Sequence, residues 1–203
     1  MLMTTQRIAL TGGIACGKSQ FGDFLEALGA DIIRLDDLSQ EITTPNSEGL
    51  KELTAAFGEN ILRQDGCLNR KMLRNILLNS EDDKAQIERI LHPKILKKMQ
   101  GLQEKSKKQV VIVEIPLLFE KKLAYLFDSV IIITCDDGKQ LKRLKNRANI
   151  DEKTAKQMIS IQISQKNKIK IAKLMKNYTV ENNGSIYDLK QQAEQLYNQL
   201  INL

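Results

Sequence analysis

Residues 12–19 read Gly-Gly-Ile-Ala-Cys-Gly-Lys-Ser and follow directly on the apolar run 8–10. The octet fits G-x-x-x-x-G-K-[ST], a loop that works only where a buried strand hands over to a helix within a few residues. It therefore commits the start of the chain to a strand–loop–helix unit, and through it to a parallel sheet with helical crossovers. The glycine-rich backbone turns successive N–H groups inward, and a helix opening near Gly17 adds the positive end of its dipole at the same place. In such a loop Lys18 reaches the β- and γ-phosphates as a mobile cation, and the Ser19 hydroxyl reaches a phosphate-bound Mg²⁺. The motif implies binding of ATP or GTP through Gly12, Gly13, Ile14, Ala15, Cys16, Gly17, Lys18 and Ser19, with Gln20 next in line. Ala15 and Cys16 occupy variable positions, because the main chain does the binding, although a thiol there is open to oxidation.

Four short apolar runs, at 8–10, 32–35, 110–115 and 130–134, read as buried parallel strands, and 178–180 is a weaker fifth. Helical patterns separate them, most clearly 21–28 and 186–200, where Leu189, Ala193, Leu196 and Leu200 recur at three- and four-residue spacing. This alternation predicts an α/β fold, a doubly wound parallel five-stranded sheet with ligands beyond the carboxyl ends of its strands. The long interval 36–109 is mostly helical in pattern and punctuated by Pro45-Asn46, Gly58, Asp65-Gly66 and His92-Pro93, the last read as a helix start. It is expected to be a substrate-binding insert. The polar, Lys- and Arg-rich stretch 139–176 suits a helical lid. One domain follows, with core 1–35, 110–138 and 177–203, insert 36–109 and lid 139–176.

The chain has 203 residues and is 42% hydrophobic, enough for a sizeable core. Its net charge of +6 is compatible with polyanionic partners. Aromatics make up only 4% with no Trp, so platforms for stacking nucleic acid bases are scarce, and small-molecule substrates rather than nucleic acid are expected. The lysines at 105–108 and 166–176 read as solvated helix faces. Cys16, Cys67 and Cys135 are odd in number and lack a CxxC pair, so reduced thiols are expected. No apolar run approaches the roughly 20 residues of a membrane span, and no secretory leader is evident at the start. A cytoplasmic protein, monomeric or weakly self-associating and away from membranes, is the expectation.

Phosphoryl transfer needs a metal-bound triphosphate, a positioned hydroxyl, a group to take its proton and positive charge on the transferring oxygens. Asp36, placed at the carboxyl end of the second strand, is the candidate base; its alternative reading is a helix N-cap, a role open also to Asp37. Glu114, near the end of an apolar strand where an unpaired carboxylate is costly, is the candidate Mg²⁺ partner alongside Ser19. Arg143 and Arg147, four apart on one helical face, are placed to meet the phosphates, against the alternative of a surface pair. His92, the sole histidine, reads more readily as structural than catalytic.

With these residues stand longer motifs: Asp65-Gly66-Cys67-Leu68-Asn69-Arg70, Ile90-Leu91-His92-Pro93, Ile115-Pro116-Leu117-Leu118-Phe119-Glu120 and Asn182-Asn183-Gly184. Together with the phosphate loop they make the chain resemble the dephospho-CoA kinase family over nearly its whole length. The resemblance implies phosphorylation of the ribose 3′-hydroxyl of dephospho-CoA by ATP with Mg²⁺. It also implies that the insert binds the acceptor, that His92, Pro93, Pro116, Leu117, Leu118 and Phe119 line its pocket, that Asp36 is the base, and that Arg147 belongs to the lid. The chain departs from the family pattern at four places. Arg34 stands at the first position of a usual Asp-x-Asp, Gln20 where Thr is usual, Met158 where the lid often has Arg, and Asn177 where Asp is usual. The rival readings are another nucleoside or nucleotide kinase and a nucleotide-dependent switch; the latter lacks a guanine-reading Asn-Lys-x-Asp, since Asn167-Lys168-Ile169-Lys170 has no acidic partner.

Overall fold

Parallel strands buried on both faces need mostly apolar residues, and the runs noted above supply them. In a computed structural model, which describes residues 6–202, they form β1 (Gln6–Gly12), β2 (Asp31–Arg34), β3 (Val110–Glu114), β4 (Ser129–Thr134) and β5 (Lys176–Glu181). The sheet order is β2-β3-β1-β4-β5, and β1 pairs in parallel with both β3 and β4. The expected five-stranded α/β sheet is therefore present. Along β3 and β4 every residue is buried, whereas β5, at the edge, buries Val180 alone. The first five residues and the last of the expected core lie outside the described residues.

The helices are α1 (Lys18–Ala27), α2 (Leu35–Glu41), α3 (Glu48–Phe57), α4 (Arg70–Asn79), α5 (Glu81–Lys105), α6 (Asp137–Ala148), α7 (Glu152–Ser160), α8 (Gln165–Ala172) and α9 (Ile186–Ile201). Among the described residues no helix is long and apolar enough to cross a membrane. The chain packs as two units, one running up to Ile33 and resuming at Ser106, the other being Arg34–Lys105. In the first, Phe21 and Leu25 of α1 and Leu189, Ala193, Leu196 and Leu200 of α9 cover one face of the sheet, against Ile8, Leu10, Ile112, Ile131 and Ile133. The 3- and 4-residue spacing in α9 is what aims those four side chains at one surface. In the second, Leu50, Leu53, Ile61, Leu68, Leu73, Ile87 and Leu91 close a separate apolar cluster.

Two expectations are corrected here. His92-Pro93 does not start a helix: α5 runs through Pro93 for 25 residues, and His92 is mid-helix and half-buried. Its start instead lies at Glu81, where three acidic residues, Glu81, Asp82 and Asp83, meet the positive end of the dipole. Nor are all three cysteines free: Cys16 and Cys135 are joined in a disulfide with Cα atoms 5.4 Å apart, leaving Cys67 as a thiol. Strand pairing of β1 with β4 brings the two ends together in space, which their separation of 119 residues conceals. A cross-link over so long a loop restricts the unfolded chain and contributes about 5 kcal/mol in the chain-entropy account. In denaturant without reductant, iodoacetamide is expected to label Cys67 alone; reductant should expose the other two thiols and lower the melting temperature by several degrees. Labelling of all three before reduction would contradict the bond.

Candidate active site

The phosphate loop takes its shape from residues that tolerate positive φ. Gly17 N-caps α1 at φ 92°, and a side chain there would collide with the Asn182 amide. Ala15 stands at φ 60°, a left-handed conformation uncommon outside glycine that marks a segment held by its surroundings. Gly12 lies so close to the Ile133 carbonyl of β4 that a Cβ would overlap it.

Side-chain amides hold the loop from outside. Gln140 donates to the Ile14 carbonyl at 2.9 Å, and Gln162 accepts from the Ile14 N–H at 3.0 Å. Gln165 both donates to the Cys135 carbonyl and accepts from its N–H, and Asn182 donates to the Cys16 carbonyl at 2.9 Å. None of these amides carries a charge that would single it out in a sequence, and only Asn182 falls in a motif already noted.

At the start of α1 two functional groups converge on one carboxylate oxygen. Lys18 Nζ lies 2.9 Å and Ser19 Oγ 2.7 Å from Glu114 Oε1, at the end of β3. The Lys18 and Glu114 side chains are only 13% and 8% exposed, so the pair attracts through little intervening water. The sheet explains the meeting: β1 and β3 are neighbours, and the last pair of their ladder is Leu10 with Glu114. A phosphate entering the loop competes with Glu114 for the ammonium.

The other sequence candidates are placed as follows. Arg143, on α6, donates to the Asn182 carbonyl at 3.1 Å and so reaches the loop indirectly, through the Asn182 amide on Cys16. Arg147 is exposed in the last turn of α6. Gln20 is exposed on the first turn of α1. Pro116 and Leu117 are half-buried and Leu118 and Phe119 buried in the turn after β3. His92 and Pro93 sit in the second unit, on α5. Asp36 is exposed in the first turn of α2, two residues beyond β2. The N-cap of α2 is Arg34, with no side-chain cap, so neither Asp36 nor Asp37 plays the capping role weighed for it. Asn177 donates to the Ala172 and Met175 carbonyls at the end of α8, bonds that the family's usual Asp lacks the protons to make.

Lys168 overturns the expectation of a solvated face along 166–176. Its side chain is fully buried, while Lys166, Lys170, Lys173 and Lys176 are exposed. Its Nζ meets Glu120 Oε1 at 3.1 Å and the carbonyls of Pro116 and Gly12 at 3.3 and 3.4 Å. Burial pushes the amine below its ordinary value, opposed by Glu120 and assisted by the charge of Lys18. The four-residue spacing of buried Lys168 and Ala172 on α8 is the one sequence trace of this inward face.

A glycine loop between β1 and α1, with Lys18 and Ser19 turned to an acidic residue on the adjacent strand, defines a nucleotide-binding protein of the P-loop kinase class. The narrower grouping comes from comparison with known proteins. A family model for dephospho-CoA kinase matches residues 6–188, and the chain belongs to that family. It is 35% identical over 182 residues to dephospho-CoA kinase of Shouchella clausii, covering 88% of this chain and 90% of that one. Among solved structures, dephospho-CoA kinase from Campylobacter jejuni is 27% identical, with a TM-score of 0.66 over 97% of each chain. TT1252 from Thermus thermophilus shares the fold at a TM-score of 0.83, with 23% identity over 97% of this chain and 98% of that one.

Proposed function

We propose that the chain transfers the γ-phosphoryl group of ATP to the ribose 3′-hydroxyl of dephospho-CoA, giving coenzyme A and ADP, the last step of coenzyme A synthesis. The single observation that carries the phosphoryl-transfer part is the convergence of Lys18 and Ser19 on Glu114 at the end of the glycine loop. Family membership carries the choice of acceptor.

In this reading the loop 12–19 binds the polyphosphate through its main chain, and Lys18 leaves Glu114 to neutralise charge on the γ-phosphoryl oxygens as they separate from ADP. Ser19 and Glu114 offer oxygen donors beside the loop, a set that suits a hard cation. Magnesium held by Ser19 and Glu114 would supply positive charge to the polyphosphate. Asp36 orients the ribose hydroxyl and accepts its proton, and its location past the carboxyl end of a parallel strand is where such sites are built. Arg147 approaches the phosphates from the lid, which excludes water that would otherwise take the phosphoryl group. The insert, with His92 and Pro93, and the turn 116–119 receive the acceptor.

A coupled assay with purified chain, Mg²⁺, ATP and dephospho-CoA should show ADP release that depends on acceptor and metal, with little turnover of nucleosides or nucleoside monophosphates. Preference for a nucleoside would transfer the chain to another kinase specificity, and nucleotide binding with no acceptor-dependent turnover would refute the reading altogether.

A further inference from the structure

The ladder between β1 and β3 ends just where the site begins. The Ile115 N–H donates to the Leu10 carbonyl at 2.9 Å, and beyond it the chain leaves the strand and turns away through 116–122. The carbonyls of Gly12 and Pro116 face the fork that opens there. The Thr11 hydroxyl reaches the Pro116 carbonyl at 3.4 Å. The ammonium of Lys168 fills the fork, with its three protons matched to Gly12, Pro116 and Glu120 at 3.4, 3.3 and 3.1 Å. Glu120 Oε1 also accepts the Ile163 N–H at 2.9 Å, which fastens the segment leading into α8 to the same point.

A buried ion pair is seldom the most stable filling for such a gap, since well-packed apolar residues often serve as well or better. What the ammonium adds is a fixed distance between two chain exits: Gly12 opens the phosphate loop, and Pro116 opens the turn assigned above to the acceptor. We propose that Lys168 is a positioning residue for phosphoryl transfer, holding the mouth of the phosphate loop in register with the turn after β3. The inference rests on the kinase reading for its acceptor side. Small displacements of reacting groups cost rate much more than affinity, so the effect belongs in kcat. The charge also lies close enough to Lys18 for the two ammonium groups to act on each other, so it adds positive potential beneath the loop.

The test compares Lys168→Met with Lys168→Gln in the full chain, reading kcat, the KM for ATP and melting temperature. Lys168→Met, without a donor, should lower kcat about 30-fold with KM for ATP changed less than about threefold. Lys168→Gln keeps two N–H donors and should lie about fivefold below the parent. A merely structural lysine would lower the melting temperature and leave kcat per folded molecule unchanged in both variants. That result, or equal losses in the two, would overturn the proposal. Should the Met variant not fold, the Gln variant decides: parental kcat overturns it, and a fivefold loss at unchanged KM supports it. The same comparison on slow ATP hydrolysis keeps the outcome separate from acceptor choice, so a parent that ignores dephospho-CoA sinks the acceptor assignment and not the role of Lys168.

Discussion

Lys18→Ala is expected to lower kcat/KM for phosphoryl transfer by about 10³-fold or more, corresponding to about 4 kcal/mol of transition-state stabilisation. Lys18 is the cation of the loop turned to the sheet edge, and its Nζ is 2.9 Å from Glu114 Oε1. Removing it takes away the charge that would follow the γ-phosphoryl oxygens, and also leaves a largely buried carboxylate with the Ser19 hydroxyl as its remaining donor of this pair. The second effect lowers stability, so melting temperature and circular dichroism must accompany the kinetics. Nucleotide affinity should fall as well, because the ammonium also binds the ground-state polyphosphate. A folded Lys18→Ala protein that binds ATP and turns over acceptor at the parental rate would end the assignment of this loop as the phosphate site.

Asp36→Asn is expected to lower kcat on the order of 10²-fold with little change in either KM, the pattern for a lost proton acceptor. The substitution keeps size and a hydrogen-bonding carbonyl while removing basicity. Asp36 does not cap α2, whose N-cap is Arg34, so the change removes no capping bond. Asp37, its neighbour in the same first turn, is the internal control: Asp37→Asn should leave kcat within about threefold, since both positions share the helix dipole and only one is assigned to the hydroxyl. Equal losses from the two substitutions would reduce Asp36 to a general electrostatic role, and an undiminished kcat would remove it as the base.

The sheet was legible in the sequence because strands buried on both faces are mostly apolar, and 110–113 and 130–133 are wholly so. Gly17 and Lys18 were legible because a phosphate loop tolerates few alternatives at those positions. The groups that brace the loop were not. Gln140, Gln162 and Gln165 act through neutral amides from distant elements, and nothing in their local sequence distinguishes them from surface glutamines. Lys168 was hidden by composition: in a stretch of lysines, only three-dimensional packing tells the one at a strand fork from those in water. The disulfide was hidden by separation along the chain, and Pro93 misled because a proline that usually opens a helix here rides inside one.

The second unit seals its own apolar cluster between Leu50 and Leu91, and the chain passes into it after Ile33 and out of it before Ser106. Loss of a buried methyl group there, at Leu53 for example, falls on its neighbours inside that cluster, Leu50 and Ile61 among them.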